Sequence, residues 1–486
     1  MKRSQVLLFI LCVFALLGVA WAAFPAAGVN VGGMQLRFLS YAGALERARE
    51  KKVDVDSVMT SLSGSFSPAE QDTLAFYRHF FRENPNRIYL PEDDYAWFDG
   101  MFAQFEQARA QRKTWRVVHY GDSQIELDRM SSNLREALQT RFGGSGSGMF
   151  PAMNKVSSAS VSKSVSGAMT HYTMYGDSTT LRAPHKRYGV MAQLAQLHGA
   201  GTVSFRSLAG STVKEHAKSF SRVSVLLGNT PSEISVSLQC DTFKLKAQTV
   251  PKDSLGVRWL SWDLPRAAKK ATLRISGRCE LYGVATDDAR GGVAVDNVPL
   301  RGCSGTIFTR IDKAVMKRSF ALDDTRLIIL QFGGNSVPYL NSDKSISNYM
   351  RQIERQIDYF HAVAPQARIL FIGPSDMCRS NNGRMETYPR LPAIVDSLKT
   401  AALSHGAAFW DMFHVMGGVN SMPVWVKHSP QYAGPDYIHF TTKGADFMGE
   451  TLAASLMIYH DFYLLRRELD EAEVRAFMRE EEESRP

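Results

Sequence analysis

The chain has 486 residues, of which 44% are hydrophobic and 22% are charged, a balance typical of globular proteins. This length allows two or three domains of ordinary size. The formal net charge of +9 suits an acidic polymer or an anionic membrane face as a partner. Because the basic residues are scattered and form no lysine or arginine block, the composition argues against nucleic acid as a partner.

The N-terminus has the features of an export signal. Lys2 and Arg3 precede an almost unbroken apolar run from Val6 to Ala22, which ends in the small-residue pattern Ala20-Trp21-Ala22. This order predicts a secretory signal peptide over residues 1–22, and therefore export to the periplasm or cell envelope. Since the run approaches the length that spans a bilayer, an uncleaved leader that anchors the protein in the membrane is the alternative.

Four cysteines remain beyond the leader, and none lies in a metal-binding pattern. In an oxidising compartment Cys240 and Cys279 could form a disulfide, whereas separate buried thiols, together with Cys303 and Cys378, are the alternative. The spacing does not decide between them. No CxxC or HExxH motif and no clustered set of histidines and cysteines occurs, so the sequence predicts neither a metal nor another cofactor.

The first part of the chain after the leader is predicted to be helical. Residues 23–110 form a lead-in segment with amphipathic stretches such as Thr73 to Phe81 and Tyr95 to Ala110. The pattern then changes, because Trp115 to Tyr120 is a short apolar strand and a helix with one apolar face follows it up to Phe142. Residues 111–150 are therefore predicted to begin the main domain.

Strands and helices alternate again over residues 291–462. Predicted strands run over Arg326 to Phe332, Ala367 to Ile372 and Ala408 to Phe413, and predicted helices over Ile346 to Ala362, Leu391 to Ser404 and Lys443 to Ile458. Such alternation predicts an α/β domain with a parallel sheet that is covered by helices on both faces. Residues 463–486 are predicted to form a charged C-terminal tail.

The region between these two parts has a different pattern. Residues 151–290 are rich in serine, threonine, glycine and valine, and short runs such as Ile234 to Leu238 and Phe243 to Lys246 alternate apolar and polar residues. This pattern predicts an inserted all-β domain, most simply a sandwich of two sheets. The insert interrupts the α/β domain after its first strand and helix.

A candidate nucleophile directly follows the first predicted strand. A serine hydroxyl needs exposure and a neighbouring base before it can attack a carbonyl carbon. Ser123, in Gly121-Asp122-Ser123, is placed for exposure because clefts form at the carboxyl ends of parallel strands. The tripeptide alone is common as a plain turn, and its flanks do not form the GxSxG elbow of α/β-hydrolases.

The remaining parts of an acyl-transfer site occur later in the chain. Asp436 lies three residues before His439, so its carboxylate could orient the imidazole and leave the second nitrogen as a general base, although a loop histidine ahead of a helix is the alternative. Asn335 and the backbone N–H of Gly302 could donate to an oxyanion. A plain turn is the alternative for both, and Gly305 lies close to Gly302.

The order of these residues, Ser, Gly, Asn and then Asp-x-x-His, resembles the SGNH/GDSL hydrolase superfamily. The resemblance covers roughly residues 115–145 and 290–460, and it implies a three-layer α/β/α domain with a parallel sheet. It implies that the nucleophile is Ser123, the base His439 and the orienting carboxylate Asp436. The oxyanion hole would then consist of three donors, the backbone N–H groups of Ser123 and Gly302 and the Asn335 side chain.

Gln124 is a further candidate, for contact with the substrate. It flanks Ser123 directly, and packing is the alternative for such a neighbour.

Three further features narrow the resemblance to peptidoglycan O-acetylesterases, which carry an inserted β-sandwich that resembles a carbohydrate-binding module. These are the glycine-rich stretch from Arg141 to Phe150, the position of the insert, and the segment from Tyr282 to Asn297. The resemblance implies an exported serine esterase that removes O-acetyl groups from a cell-envelope glycan, such as peptidoglycan, through an acetyl-serine intermediate. The alternatives are an O-acetyltransferase or a general lipase with the same triad, and a non-catalytic glycan-binding envelope protein.

Overall fold

The computed structural model describes Gln5 and residues 12–19, 29–31, 34–36, 73–153, 155–241 and 243–469. Most of the predicted leader, much of the lead-in and the tail beyond residue 469 lie outside the described residues. The chain forms two compact units, Met1–Asp54 and Val55–Pro486. In the first, residues 12–19 are helical, and strands β1 (Val29–Val31) and β2 (Met34–Leu36) pair antiparallel. Among the helices of the described ranges, none combines the length and hydrophobicity needed to cross a bilayer.

The described part of the lead-in is not purely helical, which corrects the prediction. It contains helix α1 (Thr73–Glu83), strand β3 (Ile88–Tyr89) and helix α2 (Asp99–Gln107). A strand of two residues is too short to show a period in the sequence, and it exists because it pairs with the main sheet. Helix α2 starts later than predicted because the Asp94 side chain accepts a hydrogen bond from the Ala96 N–H, which stabilises a turn there.

The α/β domain is built from two parts of the chain. The first comprises strand β4 (Thr114–Gly121), helix α3 (Ser131–Phe142) and strand β5 (Gly148–Phe150). The insert follows, with β6 (Val161–Ser166), β7 (Met169–Thr173), β8 (Gln193–Leu197), β9 (Ala200–Ser207), β10 (Phe220–Thr230), β11 (Ile234–Cys240), β12 (Phe243–Lys244), β13 (Gln248–Val250), β14 (Asp253–Ala268), β15 (Lys270–Ser276) and β16 (Cys279–Asp287).

The second part of the α/β domain resumes with β17 (Gly292–Pro299). It continues through α4 (Lys313–Leu322), β18 (Thr325–Gln331), α5 (Asp343–Val363), β19 (Arg368–Ile372), β20 (Cys378–Asn381), β21 (Arg384–Thr387), α6 (Leu391–Ser404), β22 (Ala408–Trp410), α7 (Met412–Val415), α8 (Ser421–Lys427) and α9 (Thr442–Glu468). The predicted strand over Ala408 to Phe413 is too long, because the Asp411 side chain caps α7. Helix α9 continues past the predicted start of the tail, because Phe462 packs against Tyr77 and Phe81 of α1.

The main sheet has the strand order β17-β4-β18-β19-β22-β3, and only β3 runs antiparallel to its neighbour. Alternate side chains of the strands point to opposite faces. Val118 and Ile328 therefore join one core with α4, α5 and α6, whereas Val117 and Leu327 join another with α1, α2, α3 and α9. The three-layer α/β/α prediction is confirmed.

The insert is all-β, as predicted. One antiparallel sheet has the order β14-β10-β16-β8-β7, and the other has the order β12-β11-β15-β9-β6. Residues from both sheets form one buried hydrophobic cluster, which fits a sandwich. Strand β5 pairs with β16, so the insert's sheet already begins within residues 148–150. Cys240 and Cys279 lie in different sheets and are separate buried thiols, so the disulfide alternative is not realised.

Candidate active site

The candidate site lies at the carboxyl edge of the main sheet. Ser123 follows β4, Gly302 follows β17 and Asn335 follows β18, while His439 lies in the loop before α9. Because parallel strands end at the same edge, these loops meet there. They line a single cavity of about 630 Å³. The structure therefore brings together residues that are separated by more than three hundred positions in the sequence.

A continuous chain of hydrogen bonds joins three of these side chains. Ser123 Oγ lies 2.8 Å from His439 Nε2, and His439 Nδ1 lies 2.7 Å from Asp436 Oδ2. The second carboxylate oxygen of Asp436 accepts the backbone N–H groups of Ile438 (3.0 Å) and His439 (3.1 Å). Although partial burial raises the pKa of Asp436, the hydrogen bonds from His439 and Ile438 hold it below its ordinary value. Asp436 is therefore a stable anion that can orient the imidazole.

Of the two other Asp-x-x-His segments in the sequence, Asp411–His414 has the same local geometry as Asp436–His439, whereas Asp358 and His361 bond to His405 instead. His414 Nδ1 lies 2.8 Å from Asp411 Oδ2, and the His414 backbone N–H donates to Asp411 Oδ1 at 3.1 Å. Yet His414 does not line the cavity that contains Ser123. The local motif thus fixes only the orientation of an imidazole ring. The position of His439 beside Ser123 is what makes it a candidate base.

Asn335 and Gly302, the two candidate oxyanion donors outside the turn that contains Ser123 (the nucleophile turn), differ in their present hydrogen-bond partners. Asn335 Nδ2 donates to Asp122 Oδ2 (3.0 Å) and to the Cys303 carbonyl (3.3 Å). Gly302 is exposed at the cavity with φ of 73°, and its N–H has no partner among the described residues. Gly305 instead is buried, and its N–H donates to Cys303 Sγ. Of the two glycines, Gly302 is the one that faces the cavity.

Asp122 is a positioning residue that the sequence reasoning missed. It is buried, and its carboxylate accepts the Gln124 N–H at 3.0 Å as well as the Asn335 amide. Burial raises its pKa to about 6, against the effect of these hydrogen bonds. Its place between Gly121 and Ser123 in the tripeptide was the available signal. Asp122 therefore holds the Asn335 amide beside the nucleophile turn.

Gln124 lines the cavity, but its side chain is held by contacts within the protein. Its side chain is buried, and its amide Nε2 donates to the Ile438 carbonyl at 2.8 Å while Oε1 accepts the Phe440 N–H at 3.4 Å. These two backbone groups flank His439 in the sequence. Gln124 therefore ties the nucleophile turn to the histidine loop, and its polar atoms are already committed to the protein.

An ion pair at the cavity wall was also not anticipated from the sequence. The Arg301 guanidinium contacts the Glu126 carboxylate through two bonds of 2.5 Å each, the bidentate geometry that is strongest for this pair. The Glu126 side chain is 8% exposed and that of Arg301 65% exposed. Because Arg301 directly precedes Gly302, this pair holds the turn that presents the Gly302 N–H.

We expect Asp122→Asn to lower kcat/KM for p-nitrophenyl acetate by about 10- to 100-fold at pH 8, a little less than the loss of an oxyanion donor. Asp122 is a carboxylate above its pKa of about 6 and becomes neutral as the pH falls through it. The ratio of wild-type to variant activity should therefore shrink between pH 7 and pH 5. A ratio that stays constant across this range would contradict the role given to Asp122.

Comparison with known proteins agrees with this architecture. Residues 282–447 match the model of the GDSL-like lipase/acylhydrolase family. The match includes Gly302, Asn335, Asp436 and His439, whereas Ser123 precedes it and is separated from it by the β insert. No curated protein matches the chain.

Solved structures give a second comparison. A peptidoglycan O-acetylesterase superposes with a TM-score of 0.58 at 20% identity, covering 77% of this chain and 96% of that chain. Family two carbohydrate esterases from Clostridium thermocellum and Cellvibrio japonicus match with TM-scores of 0.24, identities of 9% and 12%, and coverage of 60% and 63% of this chain and 98% and 99% of those chains. These two likenesses are too low to bear on the fold. Residues 282–447 thus resemble the GDSL-like lipase/acylhydrolase family, and this likeness together with the three-layer fold supports a serine esterase.

Proposed function

We propose that the protein is exported and removes O-acetyl groups from a cell-envelope glycan, most specifically peptidoglycan. The observation that carries this proposal is the hydrogen-bonded chain Ser123–His439–Asp436, which opens into a cavity beside Gly302 and Asn335. The fold supports it, because the structure that superposes with a TM-score of 0.58 is that of a peptidoglycan O-acetylesterase.

The rim of the cavity suits a sugar as the alcohol part of the ester. Tyr339 lines the cavity and is 77% exposed, so its ring offers a flat apolar face on which a sugar ring can pack. The neighbouring walls carry the polar groups of Glu126 and Arg301. An aromatic face beside charged groups fits a polar, ring-shaped substrate.

In the first half of the reaction, His439 Nε2 takes the proton of Ser123 Oγ as that oxygen bonds to the acetyl carbonyl carbon. The carbonyl oxygen becomes an oxyanion, which the backbone N–H groups of Ser123 and Gly302 and the Asn335 amide stabilise. Asn335 must exchange one of its two present acceptors for the oxyanion. The bond between the carbonyl carbon and the sugar oxygen then breaks, and His439 gives its proton to that oxygen.

In the second half, water attacks the acetyl-Ser123 ester and gives a proton to His439 Nε2. The tetrahedral intermediate uses the same three donors. Its collapse breaks the bond between Ser123 Oγ and carbon, the proton returns to Oγ, and acetate leaves. Asp436 stays ionised throughout and stabilises the imidazolium that forms twice per turnover.

The test is acetate release from O-acetylated peptidoglycan, measured beside hydrolysis of p-nitrophenyl acetate and p-nitrophenyl dodecanoate. We expect acetate to be released and the acetyl ester to be preferred over the dodecanoyl ester by about tenfold or more, as an enzyme that removes O-acetyl groups requires. A protein active only on the long acyl ester would be a lipase. A product in which the acetyl group is moved to a second sugar would indicate an O-acetyltransferase. Either result would overturn the proposal.

Export is tested by expressing the full chain with a C-terminal tag and separating the cell fractions. We expect the protein in the envelope fraction, with a new N-terminus that begins at Ala23. An envelope protein that retains residues 1–22 would be anchored by its leader instead. Protein found only in the cytosol would contradict the export part of the proposal.

A further inference from the structure

A second cavity adjoins the one that contains Ser123. It has a volume of about 720 Å³ and shares Arg301 and Gly302 with the first cavity. Gly302 is exposed and lines both cavities. An acetyl group that reacts at Ser123 is therefore close to the second cavity, and the rest of a bound glycan can extend into that cavity.

The second cavity is formed jointly by the β insert and the α/β domain. Residues 155–182 contribute walls from the insert, and residues 301–310 contribute walls from the region between β17 and α4. The lining contains the cations Lys155, Arg182, Arg301 and Arg310, against the single carboxylate Asp177. The insert thus brings positive charge next to the reacting centre.

Two of these cations have no ion-pair partner in the described part of the chain. Arg182 donates to the carbonyl oxygens of Thr173 (2.7 Å), Tyr175 (2.5 Å) and Gly176 (3.0 Å) and to the Thr173 hydroxyl (3.3 Å). These neutral acceptors fix the guanidinium but leave its charge uncompensated. Arg310 is exposed and makes no ion pair with any residue that the structure describes.

The other two cations are partly compensated. Arg301 pairs with Glu126, and Lys155 contacts the Thr180 hydroxyl, with Asp177 nearby. Since Asp177 is the only acidic group in the lining, the cavity keeps a net positive charge. A fixed guanidinium in such a cavity recognises a carboxylate by two parallel hydrogen bonds.

We propose that the second cavity is a subsite for a carboxylate of an acidic glycan, bound while a neighbouring acetylated sugar reacts at Ser123. Arg182 and Arg310 supply the charge that the carboxylate meets. The subsite rests on the proposed function, because it selects among acetylated glycans that this site would deacetylate. It gives the β insert a direct part in substrate choice.

The test compares two forms of one O-acetylated oligosaccharide, with free carboxylates and with those carboxylates converted to amides. We expect wild-type kcat/KM to favour the acidic form, and Arg310→Gln to reduce that preference by about twofold to fivefold, the range for an exposed charged contact. Arg310→Lys should keep most of the preference. Arg318→Gln, an exposed arginine on α4 outside both cavities, should keep all of it. Added salt should weaken the wild-type preference.

Each measurement is a ratio within one protein, so a partly unfolded variant does not distort it. Equal wild-type kcat/KM on the two forms would overturn the subsite while leaving the proposed function intact. A preference that Arg310→Gln does not reduce would also overturn it. If neither oligosaccharide is hydrolysed although p-nitrophenyl acetate is, the proposed function fails, and the subsite fails with it.

Discussion

Ser123→Ala is expected to lower kcat on an acetyl ester by about 10⁴- to 10⁶-fold, the range found when a triad nucleophile is removed. The substitution deletes the oxygen that lies 2.8 Å from His439 Nε2, and no other hydroxyl takes its place in that hydrogen bond. The backbone N–H of residue 123, Gly302 and Asn335 remain, so residual acceleration over water should persist. Stability should change by less than about 1 kcal/mol because the side chain is only partly buried.

The Asp411–His414 pair, which has the same local geometry as Asp436–His439, provides a matched control for the base. We expect His439→Ala to approach the loss caused by Ser123→Ala, since the two residues act as one unit. His414→Ala removes an imidazole with the same local partners, but outside the cavity, and should retain wild-type kcat. Initial rates of p-nitrophenyl acetate hydrolysis by the three variants distinguish a catalytic role of His439 from a structural one. Comparable losses in both histidine variants would show that the effect is structural, and an active Ser123→Ala protein would remove the nucleophile assignment.

The sequence was sufficient to predict which residues meet at the edge of the sheet, because they are recognisable residue types at the ends of recognisable elements. Ser123 and Asn335 each follow an apolar strand, and a parallel sheet necessarily brings such strand ends to one edge. Asp436 and His439 are close in sequence, so their contact is local. By contrast, the Asp122–Asn335 hydrogen bond joins side chains 213 positions apart, and no pattern in one sequence encodes such a pairing.

The Asp411–His414 pair shows that the spacing of an aspartate and a histidine does not by itself identify a catalytic base. Asp411 and His414 satisfy the same spacing as Asp436 and His439 and reach nearly the same geometry. Only the tertiary position separates a candidate base from a histidine at the start of a short helix. Tertiary position likewise explains the missed strand Ile88–Tyr89, which owes its extended conformation to pairing with β22 rather than to its own residues.

The sequence predicted the position of the junction between the β insert and the α/β domain, but not the contacts that stabilise it. The sequence located the change of pattern near residue 290, and the structure has it between Asp287 and Gly292. Burial of charge at that junction could not be predicted, since Arg116 lies in an otherwise apolar strand and its partners come from two later strands. A single sequence shows that an arginine interrupts a strand, but not which carboxylates meet it.

Arg116→Ala is expected to destabilise the protein by about 3–5 kcal/mol, the cost of removing one partner from a buried ion pair. Arg116 is 1% exposed, and its guanidinium contacts Asp287 of the insert and, at 3.0 Å, Asp296 of β17. One oxygen of each carboxylate already lacks a hydrogen-bond partner. Without the arginine, both carboxylates would be buried without this ion pair, and Asp296 would keep the hydrogen bond from the Met149 N–H.

The control and the pH dependence make this prediction specific. Arg141→Ala, at the exposed pair Arg141–Asp461, should cost less than about 1 kcal/mol in urea unfolding.

Burial raises the pKa of Asp287, while Arg116 opposes that rise, so the pKa of Asp287 increases further in Arg116→Ala. A carboxyl group whose pKa is higher folded than unfolded favours the folded state at low pH and loses this contribution as the pH rises. The deficit of Arg116→Ala should therefore shrink from pH 8 to pH 5. A deficit independent of pH would mean that lost packing, rather than stranded charge, is the cause.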